Sequence, residues 1–361
     1  MNERRRNPFR ARFFLGASAA LMLASCAGGP SVTSETAAPP PAAPNAAPKF
    51  AQNGNINVAY ADFKTSAFPY RGLIPTKDKP EGDKPFIDTN YDGRLGHNSP
   101  RGGVYFEDAT YSDHSVLLAA STDFDAHRPA AMVVFFHGNQ ATLSRDVVDR
   151  QQTARQLADS TLNGVLVAPQ LAVDALDSSA GRFWQPGALA EFLDEAATKL
   201  AKLYPYAPHG AFRRMPVILV AYSGGYLPAA YALAQGGASE RVRGVVLFDA
   251  LYGEEDKFVD WIEGAHNHAF FVSAYSKSSH DENEALRARL AKQGVETVNA
   301  MPDHLRAGTV AFIDAGDVRH EDFVNLAWTS DPLRDVLSRV SPILARCENS
   351  LRFFTSLTPA S

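Results

Sequence analysis

With only two cysteines in the chain, Cys26 and Cys347, no network of disulfides supports the fold, which must stand on its core. Outside the amino-terminal dozen residues there is no cluster of Lys and Arg, and the net charge is a mild -5, so phosphodiester polymers are excluded as partners. No His-Glu-x-x-His, no paired cysteines and no carboxylate cluster at ligand spacing occurs, so the chain offers no metal site. It also lacks the Gly-x-Gly-x-x-Gly spacing of a dinucleotide site, and no repeat at a solenoid period is found. These absences leave chemistry done by side chains alone, with no metal or organic cofactor.

What the chain does have begins with a basic stretch, Met1 to Arg12, followed by an apolar run from Phe13 to Ala24 that is too short to span a bilayer comfortably. It reads as a secretion signal. Its end, Leu23-Ala24-Ser25-Cys26, resembles the lipobox of bacterial lipoproteins. That resemblance implies cleavage after residue 25 and acylation of Cys26, which would leave Cys347 without a partner for an internal disulfide. Ala27 is not the aspartate that retains many lipoproteins in the inner membrane, so the resemblance implies the outer membrane, facing the periplasm. From Ser34 to Pro48 the composition collapses to Ala, Pro and a few polar residues, which cannot bury a core. The expected organisation is a signal at 1–25, a tether at 26–53 and one globular domain at 54–361.

Within the domain, apolar β-branched runs alternate with helix-patterned segments. The runs are Ala131 to Phe136, Asn163 to Ala168, Val217 to Ala221, Val242 to Phe248, Ala269 to Ala274 and Thr309 to Ile313. Helical spacing is found over Leu143 to Asp159, Pro186 to Tyr204, Tyr226 to Gln235 and Glu284 to Gln293. The alternation predicts an α/β fold, a mostly parallel central sheet with helices on both faces. Gly103 to Ala109 and Ser115 to Ser121 are expected to pair as strands leading into it, and the polar stretch from Thr76 to Arg101 has no assigned role. In such a sheet ligands bind at the carboxyl ends of the strands, so the residues just after each run matter most.

One of those positions is Ser223. It follows the run Val217 to Ala221 and precedes a helix, with Gly224 and Gly225 leaving room for a sharp reversal. A hydroxyl there lies beside unpaired helix-start N–H groups, which would stabilise an oxyanion. The plainer reading is a glycine turn in a βα unit. Ala221-Tyr-Ser-Gly-Gly225 resembles the nucleophile elbow of the α/β-hydrolase family, Gly-x-Ser-x-Gly, with Ala221 where the first glycine is usual.

The resemblance implies a serine hydrolase with a triad in the order Ser, Asp, His and an oxyanion hole completed from a loop upstream. His137-Gly138-Asn139-Gln140, after the run ending at Phe136, fits that loop, so the implied donors are Gly224 with Asn139 or Gln140. His320, after the last run, is the implied base; His266, His268, His280 and His304 precede that run or open a strand and read as structural. Two acids compete for the third place: Asp249, directly after the strand ending at Phe248, is favoured over Asp281, which could equally cap the helix behind it. His137, Tyr222, Tyr226, Phe183 and Trp184 are expected to line the substrate pocket. The implied function is carboxylic-ester hydrolysis at the cell envelope through an acyl-enzyme. Amide cleavage shares the triad, and a non-catalytic platform for peptidoglycan, glycans or protein partners shares the fold.

Overall fold

The computed structural model describes residues 49–76, 82–265 and 267–340. The signal segment with Cys26, the tether as far as residue 48, His266 and Cys347 lie outside the described residues. Among the described residues no helix is long and apolar enough to cross a membrane.

Nine strands build the central sheet: β1 (Ala51–Asn53), β2 (Ile56–Asp62), β3 (Ser115–Ser121), β4 (Ala131–Phe136), β5 (Gly164–Pro169), β6 (Val217–Tyr222), β7 (Val242–Phe248), β8 (Phe270–Tyr275) and β9 (Val310–Asp314). They lie in the order β1-β2-β3-β5-β4-β6-β7-β8-β9. From β5 onward every neighbouring pair is parallel, while β1, β2 and β3 add an antiparallel edge. Strands β4, β5 and β6 are buried along their whole length, because helices cover both faces and every side chain has an apolar partner.

Alternation along the strands sorts the core into two layers. Met132, Val134 and Phe136 of β4 face one layer, and Ala131, Val133 and Phe135 the other. The first layer is closed by Ala188–Leu203, Tyr226–Gln235, Glu255–Ala265 and His280–Lys292; the second by Leu143–Arg150, Thr153–Ala158 and Pro332–Ser338. We label these helices, from Thr153–Ala158 onward in chain order, α1 (Thr153–Ala158), α2 (Ala188–Leu203), α3 (Tyr226–Gln235), α4 (Glu255–Ala265), α5 (His280–Lys292) and α6 (Pro332–Ser338). Each fully buried Leu, Val, Ile or Phe in these layers contributes roughly 1.5–3 kcal/mol.

Three expectations are corrected. The helix expected over Leu143 to Asp159 is broken: Gln151 N–H reaches back five residues to the Asp146 carbonyl, and Gln152 adopts a left-handed φ of 52° before α1 starts. The strand expected at 103–109 is Val104–Phe106, and it pairs with Arg94–Asn98 in a separate three-stranded sheet, not with β3. The partner of β3 on that side is β2, whose alternation of apolar and polar residues suits a half-covered strand. Finally, β1 pairs with β2 in register Ala51 to Val58, so the last three residues of the stretch read as tether belong to the sheet.

Candidate active site

Strand order reverses between β5-β4 and β6, and the carboxyl ends of β4 and β6 meet at that switch point. Ser223 leaves β6 there with φ 52°, a conformation that costs a non-glycine residue about 1–3 kcal/mol and turns its hydroxyl away from the strand. Close packing around the turn accounts for the glycines. A Cβ at Gly138 would sit 2.8 Å from the Ser223 Cβ, and one at Gly225 would sit 2.3 Å from the Phe136 carbonyl oxygen. The two loops can approach only because these positions lack side chains.

His320 lies beyond β9, and its Nε2 is 2.7 Å from Ser223 Oγ. Its Nδ1 is 2.6 Å from Asp249 Oδ2. Asp249 is fully buried, leaves β7 with φ 43° and accepts from Ser276 N–H (3.0 Å), Ser276 Oγ (2.9 Å), Ser278 Oγ (2.7 Å) and Ser279 Oγ (2.6 Å). Burial alone would raise this carboxyl, but the hydrogen bonds from His320, Ser279, Ser276 and Ser278 outweigh it and hold it well below the usual carboxylate range. An ionised carboxylate can only accept, so His320 carries its proton on Nδ1 and leaves Nε2 free to accept from Ser223. Asp281 is elsewhere: its carboxylate is fully solvated on the first turn of α5 and sits 3.2 Å from His280 Nδ1.

The imidazole is held from two further sides. Tyr222 stacks on it with centroids 5.2 Å apart at 23°, and the Tyr222 hydroxyl donates to the His320 carbonyl at 2.8 Å. Burial pushes that phenol up to about 12, so it remains a donor. Tyr252, which the sequence reading did not single out, meets the ring edge-on at 6.1 Å, and its hydroxyl lies 2.7 Å from Ser278 Oγ. The run Ser276-Lys-Ser-Ser279 directly after β8 was the available signal for the cradle around Asp249. Three hydroxyls at the carboxyl edge of a parallel sheet are donors in search of an anion.

Several residues expected to line the substrate pocket are buried and engaged elsewhere. His137 is fully buried; its Nδ1 bonds the Gly138 carbonyl at 2.7 Å and its Nε2 accepts from Leu171 N–H at 2.9 Å. It braces the loop and has no nitrogen left over. Gly181, at φ 57° and packed against the Ala67 carbonyl, turns the chain inward, so Phe183 meets Phe136 and Phe192 in the core. Trp184 packs on Tyr70 and Phe86. Tyr222 serves the imidazole, leaving Tyr226, half-buried against Tyr252, at the site. Of the two candidate loop donors, Gln140 N–H is committed to the Ala175 carbonyl at 2.8 Å. Among the described residues no hydrogen bond takes the N–H of Asn139 or Gly224. Ser178, from the loop after β5, reaches this place and donates to Asn139 Oδ1 at 3.1 Å.

Burial lowers the His137 pKa from 6.5 to about 4. Between those values the unfolded chain binds a proton that the folded ring refuses, so this group's share of stability is complete above about pH 6.5 and is lost as pH falls towards 4. Thermal midpoints measured from pH 7 to 4.5 are expected to fall, and the slope should be shallower in His137→Gln. Equal slopes would exclude His137 as a source of the acid sensitivity.

No family model matches the chain, and no curated protein matches it. Solved structures do resemble it. A feruloyl esterase module from Clostridium thermocellum aligns at 13% identity and TM-score 0.43, covering 75% of this chain and 95% of its own. An S-formylglutathione hydrolase from Agrobacterium tumefaciens aligns at 11% and TM-score 0.41, covering 70% and 97%. A cold-adapted esterase from an Arctic intertidal metagenomic library aligns at 10% and TM-score 0.40, covering 83% and 96%. By the strand order and connections of its own sheet, the domain has an α/β-hydrolase-like fold.

Proposed function

We propose that the protein is a serine hydrolase that cleaves carboxylic esters. The observation that carries this reading is the unbroken chain Ser223 Oγ to His320 Nε2 at 2.7 Å and His320 Nδ1 to Asp249 Oδ2 at 2.6 Å. His320 takes the Ser223 proton as Oγ attacks the ester carbonyl, and Asp249 stabilises the imidazolium that forms. The N–H groups of Gly224 and Asn139 receive the oxyanion of the tetrahedral intermediate. Collapse expels the alcohol, which takes the proton from His320; water, deprotonated by the same imidazole, then hydrolyses the acyl-enzyme.

A fluorophosphonate probe and a panel of acyl esters of graded chain length test this on the full-length chain in detergent. Labelling that depends on Ser223, with turnover of at least one ester, is the expected result. Folded protein that neither labels at Ser223 nor turns over esters would leave the fold as a binding platform.

The same reading includes the envelope. Leu23-Ala24-Ser25-Cys26 supports acylation of Cys26, with the domain held by its Ala/Pro tether at the outer membrane, facing the periplasm. Labelled palmitate fed to a bacterial host should enter the wild-type chain and be absent from Cys26→Ala, which should also leave the membrane fraction. Equal labelling of both would refute the anchor.

A further inference from the structure

The reading above leaves the substrate open, and one side chain at the mouth of the site narrows it. Arg101 has its guanidinium carbon 5.8 Å from the centroid of the Tyr252 ring. The hydroxyl of that same tyrosine is 3.4 Å from His320 Nδ1. Arg101 therefore stands one aromatic ring away from the proposed base. It also acts on Tyr226, three residues past the nucleophile: burial raises the Tyr226 hydroxyl, and the guanidinium pulls it back down.

The chain goes to some length to place this cation. It sits on a turn closed by Gly102 N–H to Ser99 O (2.9 Å) and Ser99 N–H to Gly103 O (3.0 Å), with Gly102 and Gly103 at φ 100° and 93°. Buried Ser99 ties the turn down: its hydroxyl donates to the Leu176 carbonyl at 2.8 Å and accepts from Arg101 N–H at 3.2 Å. Leu176 N–H in turn donates to the Tyr105 hydroxyl at 3.0 Å. Leu176 belongs to the loop whose Ser178 contacts Asn139, so the turn is fastened to a wall of the site itself.

Exposed Arg71, Arg94, Arg145 and Arg319 are each paired with a carboxylate, while among the described residues exposed Arg128, Arg214, Arg289 and Arg306 are not; what sets Arg101 apart is its place beside Tyr252. Among the described residues no carboxylate lies within ion-pair distance of Arg101. Of the acids that act on Tyr226, Glu254 is committed to Lys257, and Glu255 makes no ion pair with Arg101. One Arg101 donor faces the Tyr226 hydroxyl, and a guanidinium lying over an aromatic face keeps its remaining in-plane N–H donors for a planar anion at its edge.

Resting on the hydrolase reading, we propose that the ester cleaved at Ser223 carries a carboxylate, and that Arg101 recognises it as a specificity residue. The test compares 4-nitrophenyl butyrate, 4-nitrophenyl hemisuccinate and the butyrate ester of 4-hydroxybenzoate on full-length wild type, Arg101→Gln and Arg101→Lys. These place the charge nowhere, in the acyl half and in the alcohol half.

In Arg101→Gln, kcat/KM for at least one charged ester should fall roughly 10- to 100-fold, mainly through KM, while neutral butyrate stays within about twofold. Arg101→Lys should restore part of the loss, and the wild-type preference should shrink as ionic strength rises. The arm that responds identifies which half of the substrate Arg101 meets. Equal loss on all three esters would make Arg101 a support for Tyr252 and overturn the proposal; so would no loss on either charged ester. Failure of wild type to hydrolyse even the neutral ester, with no labelling of Ser223, would instead overturn the hydrolase reading on which it rests.

Discussion

Replacing Ser223 by alanine is expected to lower kcat for the preferred ester by on the order of 10⁶ and to abolish fluorophosphonate labelling. In the proposed mechanism the Ser223 oxygen forms the covalent bond, and no other serine hydroxyl is within hydrogen-bond distance of His320 Nε2 among the described residues. Ser276, Ser278 and Ser279 are all engaged with Asp249. What survives should be the small acceleration that the Gly224 and Asn139 N–H groups give to attack by water. The variant should keep its fold, because methyl for hydroxymethyl removes one hydrogen bond from a half-buried position. Kinetics on protein with an unchanged thermal midpoint would check this. Hydrolysis within about tenfold of wild type would remove Ser223 from the mechanism.

The second large effect is expected at Asp249, where asparagine should cost about 10⁴ in kcat. Three serine hydroxyls, the Ser276 N–H and the imidazole N–H all donate to this carboxylate. An amide supplies one accepting oxygen, and its NH₂ facing Nδ1 favours the tautomer with the proton on Nε2. That ring can no longer accept from Ser223. Asp281→Asn should behave as wild type, since its carboxylate is solvated and faces His280. A loss at 281 with activity kept at 249 would reverse the assignment. Ser278→Ala offers a milder companion: one donor fewer should cost far less than loss of the carboxylate, and a pH–rate profile would separate a retuned imidazole from a merely loosened loop.

The placement of Asp249 also shows where reading the chain stops. The alternation of buried runs with helical spacing was enough to predict a parallel sheet covered on both faces, because a strand with no polar face can only be sandwiched. The position of Ser223 was legible for a similar local reason, since a strand, a glycine turn and a helix start fix the corner within a few residues. Pocket lining was not legible. Phe183 and Trp184 follow a loop at the correct edge, yet Gly181 folds them into the core; an aromatic pair at a loop base carries no mark of which way it turns. His137 misled in the same way, since a histidine beside a glycine turn looks identical whether it meets solvent or braces a backbone. Tyr252, the serine cradle and Arg101 were passed over because each acts on a group distant along the chain.

By itself, then, the sequence determined the class of fold, the corner that holds Ser223 and two acids compatible with the order Ser, Asp, His. Only the tertiary structure put Asp249, and not Asp281, beside His320, committed the Gln140 N–H and, among the described residues, left the Asn139 N–H without a partner, and brought a turn from the three-stranded sheet to the site's edge. The reason is geometric. Strand and helix propensity act over a few residues and are written locally, whereas a hydrogen bond between positions 71 residues apart depends on the strand order and twist of the whole sheet.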